Sequence, residues 1–169
     1  MIDWGASGFR IGLFLCGLAA AGCGRAPDLS PPAILYGETE CETCKMIVSE
    51  ERFAAAACVV RGRDVHKAAF DDVGCLLQWL GERPPAEPAL CYVHDLETRQ
   101  WIEAARATFV RSEQLQTPMA SNLGAFATSS AAAEMLRRGP GTILDFEQLR
   151  RETARGAARG IAASEGTSP

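Results

Sequence analysis

Residues 65–81 read Val-His-Lys-Ala-Ala-Phe-Asp-Asp-Val-Gly-Cys-Leu-Leu-Gln-Trp-Leu-Gly, and this stretch decides the fold. Val65 to Phe70 favours a strand, and Asp71-Asp72 offers an N-cap. Val73, Leu76, Leu77 and Leu80 then recur at i, i+3, i+4 and i+7, which puts one apolar stripe on a helix of about ten residues that Gly81 closes. Upstream, Arg61-Gly62-Arg63-Asp64 supplies hairpin turn chemistry. The run Phe53 to Val60 is read as the partner strand despite its helix-favouring alanines, and Met46-Ile47-Val48 is also β-favouring. Downstream, Arg83 to Ala89 contains three prolines and is a loop. Leu90 to His94 reads as a strand, Glu97-Thr98-Arg99 as a turn, and Trp101 to Ala104 and Thr108 to Arg111 as two further strands. A polar loop containing Thr117 to Asn122 follows. A second helix from about Ser130 to Arg138 stops at Gly139-Pro140-Gly141, ahead of a strand at Thr142 to Leu144. Asp145 is placed to cap a terminal helix through Arg155, with the remainder as a frayed tail. Strands, a helix and another strand thus occur twice, around 46–95 and 100–145. The expected fold class is α+β, a duplicated small ββαβ-type unit with antiparallel sheets and one helix in each half.

The N-terminus reads as an address. Arg10 precedes the apolar run Ile11 to Ala21, eleven residues long, which fits the core of an export signal and is too short to cross a bilayer as a helix. Ala20-Ala21-Gly22-Cys23 resembles the lipobox of bacterial lipoproteins, which marks residues 1–22 as signal peptide and Cys23 as the lipidated residue. Plain cleavage after Ala21 is the alternative. Residues 23–40, with Pro27, Pro31 and Pro32, read as a stiff tether. The domain follows at 41–150, in halves of about 41–96 and 97–150, and 151–169 forms the terminal helix end and tail. The expected location is therefore a bacterial membrane surface facing the periplasm. With 17 basic and 21 acidic residues in 169, a net charge of −4 and no basic run, the chain lacks the footprint of a nucleic-acid binder.

Export leaves Cys41, Cys44, Cys58, Cys75 and Cys91, an odd number that a closed disulfide framework cannot use in full. Cys41-x-x-Cys44 followed by Met46 is the informative cluster, because a two-residue gap lets both sulfurs converge on one ion. The spacing by itself is compatible with zinc, with dithiol redox chemistry and with a soft ion such as Cu(I). Zinc usually calls for a second close pair, which is missing. Thioredoxin-like chemistry calls for a helix opening at the motif, and Lys45-Met46-Ile47-Val48 is a poor helix start. Thiolate with thioether is a soft donor set that suits Cu(I). Met119, in a loop after Pro118, is on its own more readily a packing residue, as is Met135 on the second helix. Cys75 reads as a redox or metal thiol or, at least as readily, as a small buried helix residue. His66 is open to use as a fourth ligand, although a lone strand histidine is usually structural. Cys58 and Cys91 read as core, or as a disulfide if their strands pair. His94 is expected to be exposed near a turn, and Asp71 and Asp72 to cap the helix rather than to catalyse.

Cys41-Glu42-Thr43-Cys44-Lys45-Met46-Ile47-Val48, Phe70-Asp71-Asp72-Val73-Gly74-Cys75, Pro118-Met119-Ala120-Ser121-Asn122 and Gly139-Pro140-Gly141 occur in that order over about 41–148. Together they resemble the NosL family of nitrous oxide reductase accessory lipoproteins. Lys45 departs from the family's usual Gly before the Met, and Gly-Pro-Gly from a frequent Gly-Gly. The resemblance implies a non-enzymatic periplasmic lipoprotein, a copper chaperone that binds Cu(I). It also implies that the copper is delivered for assembly of the copper-sulfide centre of nitrous oxide reductase, a step in denitrification, in partnership with that enzyme and its maturation transporter complex. Carried over by position, the metal-site candidates are Cys44, Met46 and Met119, with Cys41 as helper, and this raises the standing of Met119 above a packing residue. A thiol-disulfide redox protein and a structural zinc domain are the rival functions.

Overall fold

The computed structural model describes residues 1, 26–83 and 89–165, with side chains as far as 156. Cys23, the rest of the expected signal, the proline loop 84–88 and residues 166–169 lie outside the described residues. Strands β1 (Ala55–Arg61), β2 (Asp64–Phe70), β3 (Ala89–His94) and β4 (Trp101–Glu103) form one antiparallel sheet in the order β2-β1-β3-β4. Strands β5 (Thr108–Arg111), β6 (Leu123–Phe126) and β7 (Thr142–Leu144) form a second, in the order β6-β5-β7. Helix α1 (Val73–Gly81) connects β2 to β3, α2 (Ser129–Arg137) connects β6 to β7, and α3 (Phe146–Glu165) ends the described chain. Each half therefore has a central first strand, flanked by its second and third, with a helix crossing between them. That is the expected duplicated ββαβ arrangement, with β4 and α3 added. Among the described residues no helix is long and apolar enough to cross a membrane.

The alanine run becomes strand β1 because it occupies the middle of the larger sheet. Ala54, Ala55, Ala56 and Ala57 are all fully buried, and side chains this small let layers approach both faces. The two-residue turn into β2 is set by Gly62, whose φ of +64° is the left-handed value such hairpins require. Phe70, fully buried at the end of β2, meets Trp79 of α1 edge to face with ring centroids 5.3 Å apart. Asp72 caps α1 through the Cys75 amide at 3.0 Å, as the sequence requires. Helix α3 begins on a reciprocal capping box, Asp145 Oδ1 accepting from Gln148 N and Gln148 Oε1 from Asp145 N, both at 2.7 Å. The two sheets join where Asp95, after β3, accepts from Ala127 N at 2.9 Å and Leu96 N donates to Ala125 O at 2.8 Å.

Several expectations change. Met46–Val48 is not a strand; among the described residues its one ladder contact is a bridge between Ile47 and Glu40 within an irregular hairpin. Strand β6 was not anticipated, because Leu-Gly-Ala-Phe is buried on all four residues and shows no alternation. Gly81 is the last residue of α1 rather than a left-handed stop, and a methyl group there would sit 3.5 Å from Thr153 Cγ2 of α3. The helix after Asp145 continues to Glu165, where a frayed tail was expected. The stretch expected as a tether is held on the domain from Asp28 onward. Asp28 pairs with Lys67 at 2.9 Å, Leu29 O accepts from Tyr92 Oη at 2.7 Å, and Ser30 O from the Cys58 thiol at 3.3 Å.

Replacing Phe70 by Ala empties the contact between β2 and α1, and it should cost about 3–5 kcal/mol, measured as a lowered denaturation midpoint of the reduced, metal-free protein.

Candidate metal centre

The Cys41–Met46 segment is a tight knuckle at the tip of the hairpin. Cys41 N donates to Met46 O at 2.7 Å and Lys45 N to Cys41 O at 3.1 Å. Lys45 has φ +61°, the left-handed conformation that glycine adopts without strain. A lysine at this position keeps the knuckle's shape at some backbone cost. Three contacts dock it against the junction of β2 and α1. Glu42 N bonds Ala69 O at 2.8 Å, Thr43 Oγ1 bonds Cys75 O at 2.9 Å, and the amide of Ser49 bonds Asp71 Oδ1 at 2.9 Å.

This docking brings Cys75, on the first turn of α1, to the two knuckle thiols. The sulfurs of Cys41, Cys44 and Cys75 all lie within 4.8 Å of one another. A trigonal ion with metal–sulfur bonds of about 2.3 Å holds its sulfurs about 4 Å apart, so closure on one ion requires an inward shift of less than about 1 Å. Cys41 and Cys75 are buried and Cys44 is partly open, which leaves one side of the cluster accessible.

The environment favours thiolate at one sulfur. The Cys75 thiol donates to Cys41, and the amides of Cys44, Asp71 and Thr43 also point at that sulfur, so Cys41 is drawn down from an ordinary 9.0 to about 5 against the opposing effect of burial. Holding the shared proton and sitting beside this thiolate pushes Cys75 far upward, with burial adding to it. Cys44 is raised by burial, partly offset by the Met46 amide.

Met46 is 60% exposed and Met119 42% exposed. Both belong to the same end of the molecule as the thiols. Met46 follows the knuckle directly. Met119 lies in a loop shaped by left-handed Ala120 (φ +56°) and Asn122 (φ +55°), and its amide bonds the Asp72 carboxylate that also caps the helix of Cys75. The structure thus gathers Cys41 and Cys44 with Cys75 and leaves both methionines at the surface, Met46 just beyond Cys44 in the chain and Met119 tied through its amide to the Asp72 that caps the helix of Cys75. Cys75 is the residue that reading the sequence underweighted. Its signal was the capping Asp72 three positions earlier, which fixes it on the first turn of a helix docked against the knuckle. His66 stands aside from the cluster, 3.8 Å from the Glu42 carboxylate. Cys58 faces Leu90 and Cys91 faces Ala57 across their paired strands, so their side chains lie on opposite faces and cannot form a disulfide. His94, expected at the surface, is buried. It stacks on Trp101 at 3.7 Å, hydrogen-bonds Tyr36 Oη and Arg99 O, and its pKa is lowered by burial.

The model of the NosL family matches residues 32–154. The chain belongs to that family. A solved structure described as the copper chaperone NosL from Shewanella denitrificans is similar in fold, with a TM-score of 0.61 at 20% identity over 72% of this chain and 96% of that one. A search of curated proteins gives no match. In this NosL-family chain the hairpin knuckle, the start of α1 and the β5–β6 loop converge.

A group whose pKa falls on folding stabilises the fold above its unfolded pKa, and that contribution is lost as pH drops through the folded value. From Cys41, the reduced metal-free protein should therefore gain stability as pH rises from 5 toward 9. Thiolate absorbance should show one equivalent appearing near pH 5, and Cys75→Ala, by removing the donor, should move that step upward. A first thiolate appearing only near pH 9 would contradict the assignment.

Proposed function

We propose that this protein is a Cu(I) carrier that loads copper on the Cys41/Cys44/Cys75 thiols with Met46 and Met119 at the mouth of the site. The observation that carries the reading is the three-sulfur cluster with its neighbouring exposed thioethers. Every candidate donor is soft, which favours a monovalent coinage-metal ion over a harder divalent one. Zinc, which prefers four ligands in a closed site, would need a further donor, and among the described residues no histidine or carboxylate joins the cluster. The amides aimed at Cys41 offset the charge that a thiolate-bound metal site accumulates.

Copper would move by ligand exchange, without a change of oxidation state. Thioethers stay unprotonated and do not form disulfides, so Met46 and Met119 remain available to an incoming or departing ion in an oxidising compartment. A partner's sulfur would enter on the open side near Cys44 before the buried thiols let go. Family membership supports nitrous oxide reductase as the recipient, with delivery for assembly of its copper-sulfide centre through the maturation transporter complex. The same reading has the protein lipidated at Cys23, held at a membrane facing the periplasm, and acting as a carrier rather than an enzyme.

Reduced protein, kept anaerobic, should take one Cu(I) in competition with a chromogenic Cu(I) chelator. Cys44→Ser should abolish tight binding, and Met46→Ala and Met119→Ala should each weaken it at least about tenfold, equivalent to about 1.4 kcal/mol. Oxidised protein should not bind until reduced. Undiminished Cu(I) binding by the oxidised form would refute a thiolate-centred site. Tight zinc retention that is required for folding would favour the structural zinc domain instead.

A further inference from the structure

Asp72 is fully buried, and its two carboxylate oxygens serve two parts of the chain. Oδ1 accepts from the Cys75 amide at 3.0 Å and caps α1. Oδ2 accepts from Thr117 Oγ1 at 3.0 Å, Met119 N at 3.3 Å and Ser121 N at 3.4 Å, all in the β5–β6 loop. Thr117 Oγ1 in turn receives the Asn122 amide at 3.1 Å, which closes the loop on itself. Close packing reinforces the contact. A methyl group on Gly74 would lie 2.7 Å from Ser121 Cβ, nearer than such atoms approach, so only glycine lets the loop sit this close to the helix. One side chain therefore fixes the backbones of a thiol residue in the first half and a thioether residue in the second.

We propose that Asp72 is a positioning residue for the metal site, holding Met119 in register with Cys75 so that thioether and thiolates act on the same ion. This rests on the copper-carrier reading above. A helix cap would need only Oδ1. The second oxygen, spent wholly on the Met119 loop, is what a purely local role leaves without explanation.

Asp72→Asn separates the two roles, because Asn caps helices as well as Asp does but turns an NH2 group toward the loop's own donors. In the full chain, hydrogen exchange followed by NMR should show the Met119 and Ser121 amides exchanging about tenfold faster or more, while the Cys75 amide keeps its protection. Cu(I) affinity should fall by about 10- to 100-fold, the range for residues that orient ligands from behind. The loss should not multiply with that of Met119→Ala, so the double variant should bind about as the weaker single one does. Cd(II) titrations, read by the thiolate-to-metal absorption band, should be unchanged in Asp72→Asn because the thiols are untouched. Gly74→Ala, which keeps the carboxylate but pushes on Ser121, should reproduce the Cu(I) loss. Multiplying losses, a weakened Cd(II) band or unchanged amide exchange would each overturn the proposal. If Met119→Ala binds Cu(I) as the unaltered chain does, the copper reading survives and this inference falls. If the unaltered chain takes no Cu(I), both fall.

Discussion

A buried carboxyl group is costly unless its oxygens find donors, and the organisation of this molecule follows from how Asp71 and Asp72 meet that requirement. Asp71 takes the amide and hydroxyl of Ser49, tying down the chain just after the knuckle, and Asp72 takes the start of α1 and the β5–β6 loop. Neither residue has a surface alternative, since both are almost wholly inaccessible. The two neighbouring side chains therefore set where three separate segments can go. These are the segments that carry Met46, Cys75 and Met119. The expectation that Asp71 and Asp72 cap rather than catalyse was right for Asp72 in the narrow sense, but capping accounts for only one of its oxygens.

The burial of the sulfurs is graded, and under the proposed carrier role the grading bears on how an ion is held and released. Cys41 and Cys75 are inside, Cys44 is at the edge, and the methionines are outside. Thiolates bind soft ions strongly but are vulnerable to oxidation, so they gain from being enclosed. Thioethers bind more weakly and do not form disulfides, so exposure takes less from them as donors than it would from thiols. Reversing the arrangement would place the oxidisable donors where oxidant arrives and the weak donors where the ion must be retained. The three thiols already stand within 4.8 Å of one another, so an arriving ion meets its ligands nearly assembled.

How much of this was legible in the sequence depended on whether the signal was local. The cap at Asp72, the turn at Gly62, the helix stripe from Val73 and the stop at Gly139 are all set by neighbours a few residues away, and each appeared where expected. Strand β6 was missed because Leu123–Phe126 is buried all round and its pattern carries no period. The frayed tail became helix because the capping box at Asp145 nucleates it and α3 packs against α1. Residues 28–40 read as a tether because prolines suggest stiffness, while their anchors, Lys67, Tyr92 and Cys58, are distant in sequence. For the site, the Cys-x-x-Cys pair was visible as a unit, and Met46 and Met119 became candidates only through resemblance. Cys75 stayed ambiguous because a thiol on an amphipathic helix reads the same whether it packs or binds. Only the convergence of hairpin and helix separates those readings.

The duplication makes clear how asymmetric the site is. In the first half Asp72 caps α1 by accepting from the amide three residues on, which belongs to Cys75; in the second half Thr128 caps α2 by the same pattern, and the amide belongs to Ala131. The equivalent position in the second half thus carries no sulfur. What the second half supplies instead is the loop between its first two strands, where the first half has only the two-residue turn at Gly62. The two units share a framework and differ in which connection bears chemistry. A site assembled from a helix start in one unit and a strand connection in the other requires that the units be held in register. The Asp95 contacts fix the sheets at one point, Asp72 fixes them at the site itself, and the closeness of Gly74 to Ser121 leaves little room for slippage between them.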